Sequence, residues 1–263
     1  MKLYFPDTHK IHAVKALKQG YEHYDPQKDK NLPCVFILYF EEDYQWLCEH
    51  RGQKYVSWRG TDVMRFKLYY FEKYGKYLID PRVKHICLNY QQKAILANLG
   101  INASVIYSTF TDIKKYKPCF KPGNNVYMTI TPGREAEYGL GYFMTLAKIF
   151  DELEFHIFGI EYPLGLNNWH SYNWMLEDDM DKIIADFQLC LVLKEYDGFS
   201  NLAVKALMMN HYLITNVWYP NIPKYNDFED LLHHIGKFGA GTLEHPDYSY
   251  WKEIINNFKW EDL

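Results

Sequence analysis

A chain of 263 residues, 48% hydrophobic and 18% aromatic, is long enough for one large domain or two smaller ones with buried cores, and its composition excludes a disordered polymer. The net charge of -4 gives no global drive toward nucleic acid, which is not an expected partner. No stretch reaches the ~20 apolar residues of a membrane-spanning helix, and the opening Met1-Lys-Leu-Tyr-Phe-Pro6 turns polar too early for a secretory leader. A cytoplasmic protein is therefore expected, with peripheral membrane contact left open.

Cys34, Cys48, Cys87, Cys119 and Cys190 show no CxxC spacing and are read as reduced, structural thiols. In chain order, Lys2–Phe5 reads as a strand and His9–Gln19 as a helix. Pro33–Phe40 is an almost continuously apolar, β-rich run, the pattern of a buried parallel strand. A helix near Glu42–His50, a strand at Lys54–Trp58 and a helix over Val63–Phe71 follow. Val83–Leu88, Asn89–Leu99 and Ala103–Tyr107 then read as strand, helix and strand. Such alternation predicts an α/β fold of βα units with right-handed crossovers. In the turn Arg59-Gly-Thr-Asp62, Arg59 can face a phosphate and Asp62 a proton or sugar hydroxyl. The alternative is that Gly60 makes the turn and Asp62 caps the next helix. His85, inside a strand, reads as a satisfied structural histidine.

Ser108–Asn125, with Pro118, Pro122, Gly123 and a set of lysines, reads as a boundary, giving domains over 1–115 and 124–263. Asn125–Thr131 opens the second half as a strand, followed by Pro132-Gly133-Arg134, a helix to Phe150, and a strand over Leu153–Phe158 ending at Gly159. Arg134, between strand and helix, suits a diphosphate clamp because guanidinium binds oxygens bidentately without titrating; pairing with Glu135 or Glu137 is the alternative. The glycines form neither GxGxxG nor a Walker loop. His156 reads as structural. Asn168–Met175, rich in aromatic and amide groups, either holds a base or sugar or covers a sheet edge. The acids at 178, 179 and 181 read as first-turn residues favoured by the helix dipole, not as a metal site.

The last part turns on Leu189–Leu193, a strand, then Lys194-Glu-Tyr-Asp-Gly-Phe-Ser-Asn201, a helix, and Tyr212–Thr215, a strand. A loop at the carboxyl end of a parallel strand, opening a helix, is a candidate ligand edge. Met208 and Met209 are expected in the core. Asp227–Phe238 and Tyr248–Phe258 read as the closing helices.

Over about 100–216 these motifs resemble the GT-B glycosyltransferases, specifically family 4 (glycosyl transferases group 1), with a shortened N-terminal domain. The resemblance rests on Thr131-Pro-Gly-Arg134, Phe155–Gly159, Trp174-Met175 and, most specifically, Tyr196–Leu207 followed by Tyr212–Thr215. It implies two Rossmann-like parallel-sheet domains of GT-B type facing across a cleft. It also implies transfer of a sugar from a nucleotide-sugar donor to a glycan or other hydroxyl acceptor, retaining, without cofactor or metal. Carried over residue by residue, Asp62, Arg134 and Asp197 become the catalytic candidates. Gly133, Arg134, Gly159, Trp174, Met175, Asp197, Gly198, Phe199, Ser200, Asn201 and Lys205 become donor-binding candidates. Trp58–Asp62 looks like the family's acceptor-side segment, with Arg59 where histidine is common. Two departures bear on chemistry: Lys205 stands where the family's ribose-holding glutamate is expected, and Glu137-Tyr138-Gly139 stands where Lys-Gly is usual. A catalytically inactive GT-B-like binding or assembly protein is the alternative.

Overall fold

The computed structural model describes residues 1–194 and 196–263. These residues fall into two compact units: 1–112 with 196–199 and 254–263, and 113–195 with 200–253. Each is built on a parallel sheet, six-stranded in the first and five-stranded in the second.

In the first unit, β1 (Lys2–Tyr4), α1 (Lys10–Lys18), β2 (Glu22–His23), β3 (Cys34–Phe36), α2 (Glu41–Glu49) and β4 (Lys54–Trp58) follow in order. Next come α3 (Thr61–Arg65), α4 (Phe71–Leu78), β5 (Val83–Cys87), α5 (Tyr90–Asn98) and β6 (Ala103–Val105). The sheet order is β2-β1-β3-β4-β5-β6, so the connections reverse direction between β1 and β3. Continuous apolar runs fit these strands because both faces are covered, with Val35 and Ile37 in one cluster and Phe36, Val56 and Trp58 in another. A π-turn at Phe66–Tyr70 joins α3 to α4, carrying the helical run past the expected Phe71 to Leu78.

In the second unit the order is β7 (Asn125–Thr129), α6 (Leu140–Ile149), β8 (Glu154–Gly159), β9 (Trp169–Asn173), α7 (Glu177–Ile184) and β10 (Leu189–Val192). It continues with α8 (Asn201–Met209), β11 (Tyr212–Thr215), α9 (Phe228–Gly239) and α10 (Ser249–Asn257). The sheet runs β11-β10-β7-β8-β9, the Rossmann arrangement, with its switch point between β7 and β10. Alternate residues Val126 and Met128, Phe155 and Ile157, Leu189 and Leu191 share one cluster with α6 and α9. Burying each such side chain stabilises by roughly 1.5–3 kcal/mol. β9 was not anticipated as a strand: it pairs with β8 over 169–173 and places His170 beside His156.

The five cysteines are free, and burial pushes the Cys34 and Cys190 thiols up, which keeps them protonated and inert. Met208 and Met209 are buried. Among the described residues, no helix is long and apolar enough to cross a membrane.

Candidate functional site

In an open parallel sheet, ligands bind outside the carboxyl ends of the strands where the strand order reverses. In the second unit, this rule selects the loops leaving β7 and β10. The β7 loop carries Arg134, whose Nε donates to Glu137 at 2.7 Å and whose guanidinium lies 5.6 Å from the centre of the Tyr138 ring. The β10 loop begins with Lys194, whose Nζ lies 5.0 Å from the same ring and 3.9 Å from Glu137. Two cations thus flank one aromatic ring and share one carboxylate at the switch point. Arg134 is about one-third exposed and Lys194 largely buried. The loops are held close by Gly139: at φ +77, a Cβ there would lie 2.7 Å from the Leu193 side chain. Tyr138 is fixed by the Thr131 hydroxyl, which donates to its phenolic oxygen at 2.9 Å.

Lys194 was not among the candidates read from the sequence. Nothing in the local sequence distinguishes it, because its meaning comes from the order that sets β10 against β7. Of the two readings made of Arg134, the structure shows the pairing with Glu137, at the strand exit where the sequence placed the residue.

Around this pair, Gly133 (φ +80) has open space where a Cβ would sit, and its N–H donates to Glu135. Gly159 is required by packing, since a Cβ there would lie 2.0 Å from the carbonyl oxygen of Ile130. Trp174 follows the edge strand β9 with its indole 68% exposed, and Met175 is half-buried. Ser200 caps α8, its Oγ accepting from the N–H of Ala203, and Asn201 opens that helix.

Lys205 is the single charged residue of α8, a helix buried on all sides from Leu202 to Met209. An ammonium there must be paired. It lies 2.6 Å from Asp181 and 2.9 Å from Glu177, both on α7. Asp181 also takes Lys115 at 2.8 Å and the Tyr116 hydroxyl at 2.8 Å, and Lys115 reaches Asp178 at 2.8 Å. The dipole account therefore covers only part of the acidic cluster: Asp181 lies beyond the first turn and serves as a side-chain partner. Lys205, expected as a donor contact, directs its charge into α7. No group of His, Cys, Asp and Glu among the described residues forms a metal-holding cluster.

The first unit contributes a different set. Asp62 is buried and accepts from the N–H of Arg59 and of Gly60, each at 2.7 Å, and from that of Val63 at 2.9 Å. Burial raises its carboxyl to about 6, against the pull of those N–H groups and Arg59. Asp62 lies inside α3, whose N-cap is Gly60 without a side-chain cap, so its carboxylate does not cap that helix but holds the turn before it. The Arg59 guanidinium donates to the Ser108 hydroxyl at 2.7 Å and its carbonyl at 3.0 Å and lies 5.0 Å from the Phe110 ring. Burial lowers its pKa to about 10, leaving it cationic. Arg59 is thus engaged inside its own unit, not held out toward a phosphate.

Residues 196–199 cluster with this first unit. The Asn89 side chain donates to the carbonyl of Asp197 at 2.7 Å and to that of Gly198 at 3.3 Å. A Cβ on Gly198 would lie 2.0 Å from the Arg59 carbonyl oxygen, so glycine is required for this approach. Phe199 packs edge-on against Tyr107 at 5.7 Å. Asp197 is buried, and with Gly60, Val63, Met64 and α5 it lines a space of about 10 Å³, the size of one water.

The buried histidines are structural. Trp58 can only donate, so His85 accepts at Nδ1 (3.2 Å) and donates from Nε2 to the Leu78 carbonyl at 2.7 Å. Burial holds it neutral, with a pKa lowered to about 4. His156, between Asn125 and Tyr172, is lowered to about 3 by burial and by His170.

No protein-family model matches the chain, and no curated protein matches it in sequence. Solved structures do. TarM is 17% identical with a TM-score of 0.61 over 98% of this chain and 57% of TarM. The chain therefore spans little more than half of that first relative. The apo form of the lipopolysaccharide outer core galactosyltransferase WaaB is 14% identical with a TM-score of 0.62, over 97% of this chain and 78% of WaaB. Anabaena HepE, solved in complex with UDP-glucose, is 11% identical with a TM-score of 0.65, over 97% of this chain and 98% of its own. At these identities the likeness establishes the fold, which is that of the GT-B glycosyltransferases.

Proposed function

We propose that this protein is a glycosyltransferase that takes a nucleotide-sugar donor and passes its sugar to a hydroxyl of a glycan or other glycoconjugate. The observation that carries the reading is the cation pair Arg134 and Lys194, set beside one tyrosine ring at the exits of the two central strands of a Rossmann sheet. A donor diphosphate bound there displaces Glu137 from both cations. Arg134 and Lys194 then stabilise the charge that develops as the bond between the anomeric carbon and the β-phosphate oxygen breaks. The acceptor oxygen forms the new bond, and its proton leaves with the nucleoside diphosphate. Within the second unit, Ser200 and Asn201 at the start of α8 face the diphosphate, and Trp174 and Met175 offer apolar surface to the base. Lys205 acts as a positioning residue through Glu177 and Asp181. Retention of configuration and independence from divalent metal complete the reading.

Isothermal titration of the full chain with UDP-, GDP-, ADP-, CMP- and dTDP-sugars tests it. Micromolar binding of one class is expected, with UDP-sugars first in the panel because HepE was solved with UDP-glucose. Folded protein that binds none of them overturns the reading.

A second reading, a catalytically inactive GT-B-like binding or assembly protein, is favoured by one observation: both Asp62 oxygens accept backbone N–H groups. Donor binding without hydrolysis or transfer across a broad acceptor library would select it.

A further inference from the structure

The helix α1 is built inside out. An ordinary surface helix turns its large apolar residues to the core and its charges to water. In α1, with 3.6 residues per turn, Leu17, Val14 and Ile11 fall on one arc together with Lys10, Lys18 and Lys15, while Ala13, Ala16 and His12 occupy the opposite side. The small side packs inward, with Ala16 buried and Ala13 against the Phe110 cluster. The large apolar residues are left outside, Ile11 65%, Val14 51% and Leu17 52% exposed. The helix has no acidic residue, and the Asp7 that pairs with Lys10 at 3.5 Å lies before it.

The surface continues at the N-terminal end of α1. The His9 ring lies 5.6 Å from Tyr39, and the Arg65 guanidinium lies 4.5 Å from Tyr39, 5.7 Å from Phe40 and 5.8 Å from Tyr69. The π-turn after α3 carries Leu68 and Tyr69, 63% and 67% exposed. Apolar and aromatic side chains therefore alternate with cations along one stretch of the first unit.

We propose that α1 and the adjoining Tyr39–Arg65–Tyr69 surface dock this protein on an anionic lipid surface. Three features select that occupant. Lysines interleaved with aliphatic side chains can spread their stems along the acyl boundary while the ammonium groups reach lipid phosphates. The exposed Tyr69 and the half-buried Tyr39 suit the headgroup level. A second copy is disfavoured, because an isologous contact would set the lysines of α1 against their own counterparts. The docking rests on this surface of the first unit and holds whether or not the chain transfers sugar.

Flotation of the full chain with vesicles of phosphatidylcholine, or of phosphatidylcholine with about one-third phosphatidylglycerol, tests this. The chain is expected to float with the anionic vesicles and to be released by salt. Lys10→Gln with Lys18→Gln should weaken the partition roughly fivefold per lysine removed. Ile11→Ser with Val14→Ser and Leu17→Ser should weaken it at least about tenfold. These side chains are exposed, so melting temperatures should be unchanged. Independently of any loss of binding, Val14→Trp should give added emission that shifts to the blue on anionic vesicles only. Failure to float with anionic vesicles overturns the proposal, as does flotation unchanged in both multiple variants or no blue shift in Val14→Trp. A dimer in sedimentation velocity that the serine variant dissolves, without vesicle binding, would assign the surface to a second copy instead.

Discussion

The polar groups at the strand exits of the first unit are satisfied locally: Arg59 by Ser108, Asp62 by three backbone N–H groups, Asn89 by the carbonyls of Asp197 and Gly198. At the corresponding exits of the second unit, Arg134 and Lys194 share the carboxylate of Glu137. The two sheets are both parallel and both covered by helices, so the fold does not distinguish them. The difference lies in what the loop charges are set against. Backbone N–H groups around a carboxylate fix a turn and are hard to displace, whereas a side-chain carboxylate on its own turn of chain can yield to a diphosphate. One unit sets its loop charges against backbone groups, and the other sets two cations against one side-chain carboxylate.

That contrast can be broken in several ways. The largest effect is expected at a charge that belongs to shape within the second unit: Lys205→Met should cost about 3–5 kcal/mol in urea unfolding, because Glu177 and Asp181 lose a buried cation. A cost below about 1 kcal/mol would mean that Lys115 alone holds the cluster.

Next come the two cations that share Glu137. Arg134→Ala and Lys194→Ala should each weaken nucleotide-sugar binding by roughly tenfold to a hundredfold, the worth of a charge-assisted hydrogen bond. Their stability should hardly change, and Arg59→Ala should do the reverse, losing about 1–3 kcal/mol of stability with donor affinity kept. Calorimetry and urea unfolding on the same three variants separate the two kinds of cation. If Arg59→Ala also lost donor affinity, the contrast would fail.

Acid comes third. His85, His156 and His211 are buried and neutral, with pKa values lowered to about 4, about 3 and about 4. The unfolded chain binds protons first as pH falls from 6.5, so stability present above that value should be lost toward pH 4, by about 1–2 kcal/mol per histidine. Asp62 works in the opposite sense, since its raised pKa makes the folded state the better proton binder between about 6 and its unfolded value of 3.8. His9 and His50 in the first unit are lowered as well, so the loss is expected in both units, and the urea midpoint at pH 4.5 should fall below that at pH 7. The smallest effect is expected from Asp62→Asn, about 1–2 kcal/mol, since an amide replaces one of the two accepting oxygens. Transfer activity lost in a fully folded Asp62→Asn protein would restore an acceptor-side role to this residue.

Apolar runs such as Cys34–Phe36 and Leu189–Val192 were legible as strands because burial on both faces leaves no polar residue to confuse the pattern. The edge strand Trp169–Asn173 was not, because one side of it needs no neighbour and its residues are half-buried amides, hydroxyls and rings. The run from Thr61 to Leu78 was read short because a π-turn shifts its periodicity at Phe66. In the candidate site, Arg134 was legible from its place between a strand and a helix. Lys194 was not, since its partner is set by sheet order, and the Lys205–Asp181 pair joins positions far apart in sequence. Asp62 carried both of its readings in the sequence, and neither anticipated a carboxylate inside α3 that reaches back to the N–H groups of the turn before it.

The units are not contiguous pieces of chain. The boundaries fall after Asp112, Glu195, Phe199 and Glu253, so the polypeptide passes from one unit to the other at each of those points. A fragment ending at Asp112 would lack Trp260, whose ring stacks on Phe110 at 5.1 Å, and Phe199, which packs on Tyr107. Cutting the gene at the apparent linker therefore should not yield two independent folding modules. Insertion of a tag or a second domain is better directed to exposed tips such as Gly165 or Gly241, where the backbone already turns through positive φ and a side chain would meet nothing.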